Sequence, residues 1–145
     1  MGTMDGLHTW VINLDKDVER LQRITQQLGP TGLAWTRVSA VYGRDLPEAD
    51  RQRLLDSEAY RRKHGMEPAL GELGCYLSHV QAMQLFLASE AEFALVLEDD
   101  VLLHDSLPAV LQQYQAVRNV DVLRLQNAAW NAMAWFEVCG ERYCD

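Results

Sequence analysis

Glu98, Asp99 and Asp100 follow directly on the apolar run Phe93-Ala94-Leu95-Val96-Leu97. The run has the length and composition of a buried strand, and three carboxylates at its exit repel one another. A cation among them relieves that repulsion. Hard divalent ions such as Mg²⁺ and Mn²⁺ take oxygens from one or two carboxylates and leave other positions to substrate phosphates. Successive residues of an extended chain face opposite ways, so one or two of the three acids, not all, reach a single ion. Asp100 is expected to lead, with Glu98 or Asp99 in support. The pattern suggests a metal-and-diphosphate site at the carboxyl end of a central strand, where open α/β sheets bind ligands. A solvated acidic turn is the competing reading.

A second constellation is Gly71-Glu72-Leu73-Gly74-Cys75-Tyr76-Leu77-Ser78-His79. On a helix, Glu72, Cys75 and His79 stand at i, i+3 and i+7 and share a face. Gly71 and Gly74 are poor helix residues and suggest close approach by another segment or a ligand. Glu72, Ser78 and His79 are therefore candidates to line a cleft, with Ser78 and His79 as hydrogen-bond donors. The alternative is tight helix packing with a structurally satisfied His. A zinc site on Glu72, Cys75 and His79 is compatible with the spacing but needs one more protein ligand or an open position.

Third, Asn13-Leu14-Asp15 with Arg20 lies where the turn after a first parallel strand meets a nucleotide. No GxGxxG is present, so the dinucleotide-binding form of the fold is not indicated. The run Arg51, Arg53, Arg61, Arg62, Lys63 reads as a solvated face.

The elements that would position these groups are legible from periodicity. Trp10–Leu14 reads as a strand. Asp15 suits a helix N-cap, Val18, Leu21, Ile24 and Leu28 share one face, and Gly29-Pro30 stops that helix. A strand is expected within Leu33–Val41, and a surface helix over Glu48–His64, broken near Ser57. The longest helical pattern is Leu70–Ser89, with a stripe of Leu73, Leu77, Val80 and Leu87 widened by Tyr76 and Met83. Asp105 or Ser106 opens a helix carrying Pro108 early, and Val120–Leu125 alternates like a further strand. The order predicts an α/β fold with a mainly parallel sheet flanked by helices.

The chain has 145 residues, enough for one domain with a real core. Its net charge of −8 argues against nucleic acid as a partner, which wants a basic footprint. Three cysteines without paired spacing give neither a zinc framework nor a disulfide framework, and point to a reducing, cytoplasmic compartment. The opening residues show no basic segment followed by an apolar run, so no secretory signal is expected. The longest apolar stretch is too short for a membrane span, so any contact with the inner membrane is expected to be peripheral.

Three blocks together resemble family 25 glycosyltransferases, the bacterial lipooligosaccharide galactosyltransferases and the related collagen galactosyltransferases. These are Val11-Ile12-Asn13-Leu14-Asp15 with Arg20, the Gly71–His79 block, and Val96-Leu97-Glu98-Asp99-Asp100, similar to an INLD…R opening, a GE.GC..SH helix and an LEDD strand end. Ser39-Ala40-Val41-Tyr42-Gly43-Arg44 resembles the AVDG turn of that family, with Tyr42 where Asp is usual. The resemblance covers about residues 8–125 of a single transferase-like domain, and the tail 126–145 is unassigned.

The resemblance implies a GT-A-like (Rossmann-like) fold, truncated relative to the family. It implies a UDP-sugar donor, UDP-galactose most often, and metal-assisted, inverting transfer to a saccharide acceptor in lipooligosaccharide or surface-polysaccharide synthesis. Asp100 with Glu98 would hold Mn²⁺ or Mg²⁺, and Asn13, Leu14, Arg20 and Asp99 would lie at the nucleotide. An inverting transferase needs a carboxylate base, and the sequence assigns none; Asp121 and Glu137 are the unplaced acids. The short chain reads as a truncated product, a fragment, or a relative whose cleft a second copy completes as a homo-oligomer; exposed sheet edges and a Trp-rich tail would favour that association. The alternatives are a catalytically incomplete transferase-like module that binds nucleotide or a partner, and a metal-dependent phosphohydrolase using Asp99 and Asp100.

Overall fold

The structure, a computed structural model, describes residues 6–117. The expected strand at Val120–Leu125, Asp121, Glu137 and the aromatic tail lie outside the described residues. Along the chain run β1 (Leu7–Asn13), α1 (Val18–Leu28), β2 (Trp35–Ser39), α2 (Glu48–Leu54), α3 (Ser57–His64), α4 (Leu70–Leu87), β3 (Phe93–Glu98) and α5 (Leu107–Ala116). The described residues fall into two compact units, one of 6–45 with 70–110 and one of 46–69 with 111–117.

The first unit is the α/β unit. Its three strands are parallel in the order β2-β1-β3. β1 is therefore the middle strand, and the apolar run ending in the acids forms β3 beside it, not at the centre of the described sheet. The reason lies in burial: Thr9 to Asn13 are all buried, as a strand paired on both sides and covered on both faces must be, whereas β3 is only half-buried. Trp10 and Ile12 point to one face and join Val38 and Ala82 in a core that Phe86, Ala94 and Val96 extend. Val11 is fully buried between them in the alternation, and α1 buries Ile24 and Leu28.

Two local expectations are corrected. Asp17, not Asp15, stands at the N-cap of α1, with no side-chain cap bond. Its carbonyl instead accepts from Leu21 N and from the Asn13 amide, while Asp15 is drawn to Arg37. On α4 the buried residues are Leu73, Gly74, Ser78 and Ala82, whereas Tyr76, Met83 and Leu87 are exposed. Small residues at i, i+4 and i+8 bring the helix backbone against the turn after β2. A Cβ on Gly74 would stand 2.6 Å from Val41 O and 2.7 Å from Gly43 N. Close backbone approach outweighs the bulkier stripe that periodicity favoured.

The second unit holds α2 and α3, the helix pair expected to break near Ser57. Asp56 caps α3 by accepting from Ala59 N, and Glu48–Arg51, Asp50–Arg53 and Glu58–Arg62 pair along the helix surfaces. Neither helix buries a residue.

Candidate functional site

The register places Asn13 opposite Ser39 and Ile12 opposite Glu98, so the motif residues of all three strands leave the sheet at one edge. Parallel strands force this, because their carboxyl ends coincide. A cleft of about 210 Å³ opens there, and its lining includes Asn13, Leu14, Asp17, Arg20, Tyr42, Cys75, Ser78, Glu98, Asp99 and Asp100.

Asn13 organises the floor. It is 2% exposed, and its amide nitrogen donates to Asp99 Oδ2 at 2.6 Å and to Asp17 O at 3.1 Å. Its side-chain oxygen accepts from Arg37 Nε at 2.9 Å. Arg37 also donates to the Asn13 carbonyl and to Asp15, which accepts from Ser39 Oγ as well. The Arg37 guanidinium first, then the Ser39 hydroxyl, hold the Asp15 carboxyl below its ordinary 3.8.

The three acids diverge. Asp99 is nearly buried, with Asn13 on one oxygen and Arg20 Nη1 3.5 Å from the other. Asp100 has a 60% exposed side chain and lies 3.9 Å from the same Arg20 nitrogen. Glu98 turns to α4, where His79 Nε2 is 3.0 Å and Cys75 Sγ 3.6 Å from its Oε1. The bond from His79 holds the Glu98 carboxyl below the usual carboxylate range, against partial burial and with help from Cys75. Burial, then the charge on Glu98, push the Cys75 thiol up. The repulsion that the sequence assigned to a cation is thus relieved by Arg20, Asn13 and His79. Gln27 of α1 fixes the chain beyond the acids, donating to Val101 O and accepting from Leu103 N.

The donor chemistry accommodates a hard cation at Asp100, whose exposed carboxylate faces the cleft, while both oxygens of Asp99 are already engaged. Among the described residues, one group of three metal-ligating side chains has its ligand atoms within 4.8 Å of one another, and it is Cys75, His79 and Glu98. Glu98 thus takes the place that helix spacing had offered to Glu72.

The remaining predicted residues fall as follows. Leu14 and Arg20 line the cleft. Ser78 is 1% exposed and bonded on both sides, donating to Gly74 O at 2.7 Å and accepting from Val41 N at 2.8 Å. It therefore fixes the turn after β2 instead of offering a free donor. Glu72 is exposed on α4 and outside the cleft lining. Sequence reasoning missed Arg37, the clamp on Asn13 and Asp15, and it missed Asp17 and Tyr42 as cleft residues. Arg37 carried no local signal, since a lone Arg on a strand acquires its role from the neighbouring strand. Lys16 Nζ lies 3.9 Å from the centre of the Tyr42 ring, a cation–π contact at the same mouth.

Comparison with known proteins agrees with the sequence reading. The model of "Glycosyltransferase family 25 (LPS biosynthesis protein)" matches residues 7–139. The chain is 33% identical over 98 residues to a "Glycosyltransferase 25 family member" of Aedes aegypti, covering 65% of this chain and 16% of that protein. It is 29% identical over 127 residues to a protein of the same description from Drosophila pseudoobscura pseudoobscura, covering 80% and 20%. A "Putative glycosyltransferase" of Haemophilus influenzae is 24% identical over 119 residues, covering 82% and 41%. The chain spans less than half the length of each of these relatives. Among the described residues no helix is long and apolar enough to cross a membrane.

Proposed function

The chain belongs to glycosyltransferase family 25, and from that premise we propose that its strand-end cleft binds the diphosphate of a UDP-sugar for transfer of the sugar, galactose first among candidates, to a saccharide acceptor of a surface polysaccharide. The observation that carries the reading is the group made by Asn13, Asp99 and Arg20 beside the exposed Asp100. Arg20 is half exposed, and its guanidinium is placed to meet a phosphate oxygen while still tethered to Asp99. Asn13 locks Asp99, and Asp99 in turn aims Arg20. Asp100, exposed at the cleft beside Arg20, would hold Mn²⁺ or Mg²⁺. Held there, such an ion would supply charge stabilisation for a departing UDP. Leu14 backs the nucleotide, and Ser78 keeps the turn carrying Val41 and Tyr42 in position.

Titration calorimetry with UDP, UDP-galactose and UDP-glucose, with and without Mn²⁺, tests this. Metal-dependent UDP binding is expected, together with sugar release onto a galactose- or glucosamine-terminated acceptor. Binding of UDP without transfer would instead favour a nucleotide-binding module. No UDP binding under either condition removes the proposal.

A further inference from the structure

We propose that Cys75, His79 and Glu98 form a second metal site, selective for a borderline transition ion of which Zn²⁺ fits best. Cys75 and His79 stand at i and i+4 on α4 and are neighbours on its surface. Glu98 reaches them from the end of β3. One ligand atom from each lies within 4.8 Å of the others. Tetrahedral zinc with bonds of about 2.0–2.3 Å places its ligand atoms roughly 3.3–3.7 Å apart. The His79–Glu98 and Cys75–Glu98 separations of 3.0 and 3.6 Å need only small side-chain adjustments to match.

The donor set decides the ion. One sulfur, one imidazole nitrogen and one carboxylate oxygen suit Zn²⁺ and Co²⁺, whereas a thiolate disfavours Mg²⁺ and Mn²⁺. The site differs in this from the all-oxygen position at Asp100. Three protein ligands leave a fourth position open, the arrangement of catalytic zinc. Cys75 and Glu98 both line the cleft, so a water or a substrate oxygen is able to complete the shell. Cys75 is exposed and the His79 and Glu98 side chains are nearly half exposed, so an ion has a way in. Once bound, it would join α4 to the end of β3.

The test uses the full chain without nucleotide, so its outcome is independent of the transferase reading. Zn²⁺ is titrated against a chromogenic chelator, and Co²⁺ is added to read the thiolate-to-cobalt charge-transfer band. Saturable one-to-one binding is expected, with the band lost in Cys75→Ser. Zn²⁺ affinity should fall by about tenfold or more in both Cys75→Ser and His79→Gln, while circular dichroism reports an intact fold. Cys139→Ser/Cys144→Ser should keep both band and affinity. The proposal is overturned by absence of saturable binding, by a band that survives Cys75→Ser, by a smaller loss in either variant, or by loss in the double variant.

Discussion

Asn13 and Asp99, 86 residues apart, are joined side chain to side chain at 2.6 Å. The end of the first strand thereby holds the acid that follows the third. The other side-chain bonds of Asn13 go to Arg37 Nε and the Asp17 carbonyl. Asn13→Ala should cost about 1–3 kcal/mol, because it strands buried partners rather than deleting a pair. Asn13→Asp should be worse, since it opposes two carboxylates. Urea unfolding of the three proteins checks the ranking.

Asp99 and Asp100 should separate stability from binding. Asp100 is exposed, so Asp100→Ala should change stability by no more than about 0.5 kcal/mol. It should also abolish the metal dependence of UDP binding. Asp99→Ala should lose both, because the side chain is nearly buried and bonded to Asn13. Unchanged UDP affinity in Asp100→Ala would rule out its proposed ion.

Glycine at position 74 is required by space. In an open helix, Gly→Ala stabilises by about 1 kcal/mol. Here the added Cβ meets two backbone atoms of the turn after β2 within 2.7 Å. Gly74→Ala should therefore destabilise, by about 1–3 kcal/mol, and Ser78→Ala by a similar amount through the orphaned Val41 N–H. A thermal midpoint at or above wild type in Gly74→Ala would contradict the packing described.

Asp15 carries an acid-side dependence. Its carboxyl is held below 3.8 by Arg37 and Ser39. A depressed value in the folded state means the stabilisation is fully present above the unfolded value and is lost as pH falls through the folded one. The group is solvent-facing, so salt should weaken the effect. Asp15→Asn should be less stable than wild type at neutral pH, with the gap closing below about pH 4. A gap of constant size down to pH 2 would show that Arg37 does not act through the carboxylate.

Much of the molecule was legible from local pattern. The strands expected at Trp10–Leu14 and Phe93–Leu97 form as Leu7–Asn13 and Phe93–Glu98, and these, the helix stop at Gly29-Pro30 and the break near Ser57 follow from side-chain period, caps and breakers. The family followed from three short blocks. The pair Gly71 and Gly74 signalled close approach before the neighbour was known, and at Gly74 that neighbour is the turn holding Val41 and Gly43. What failed was whatever depended on which segment lies beside which: the bulky stripe on α4 and the cap at Asp15.

Residue order alone determined the α/β character, the family and the gathering of the acids at a strand exit, because these depend on side-chain period and on motifs a few residues long. Only the folded chain decided that Asp99 goes to Asn13 and Arg20, Glu98 to His79, and Asp100 to the cleft. Three adjacent carboxylates are alike until partners from distant segments arrive. Hydrogen-bond geometry and burial, set by the pairing of β1 with β3, then give each a different environment.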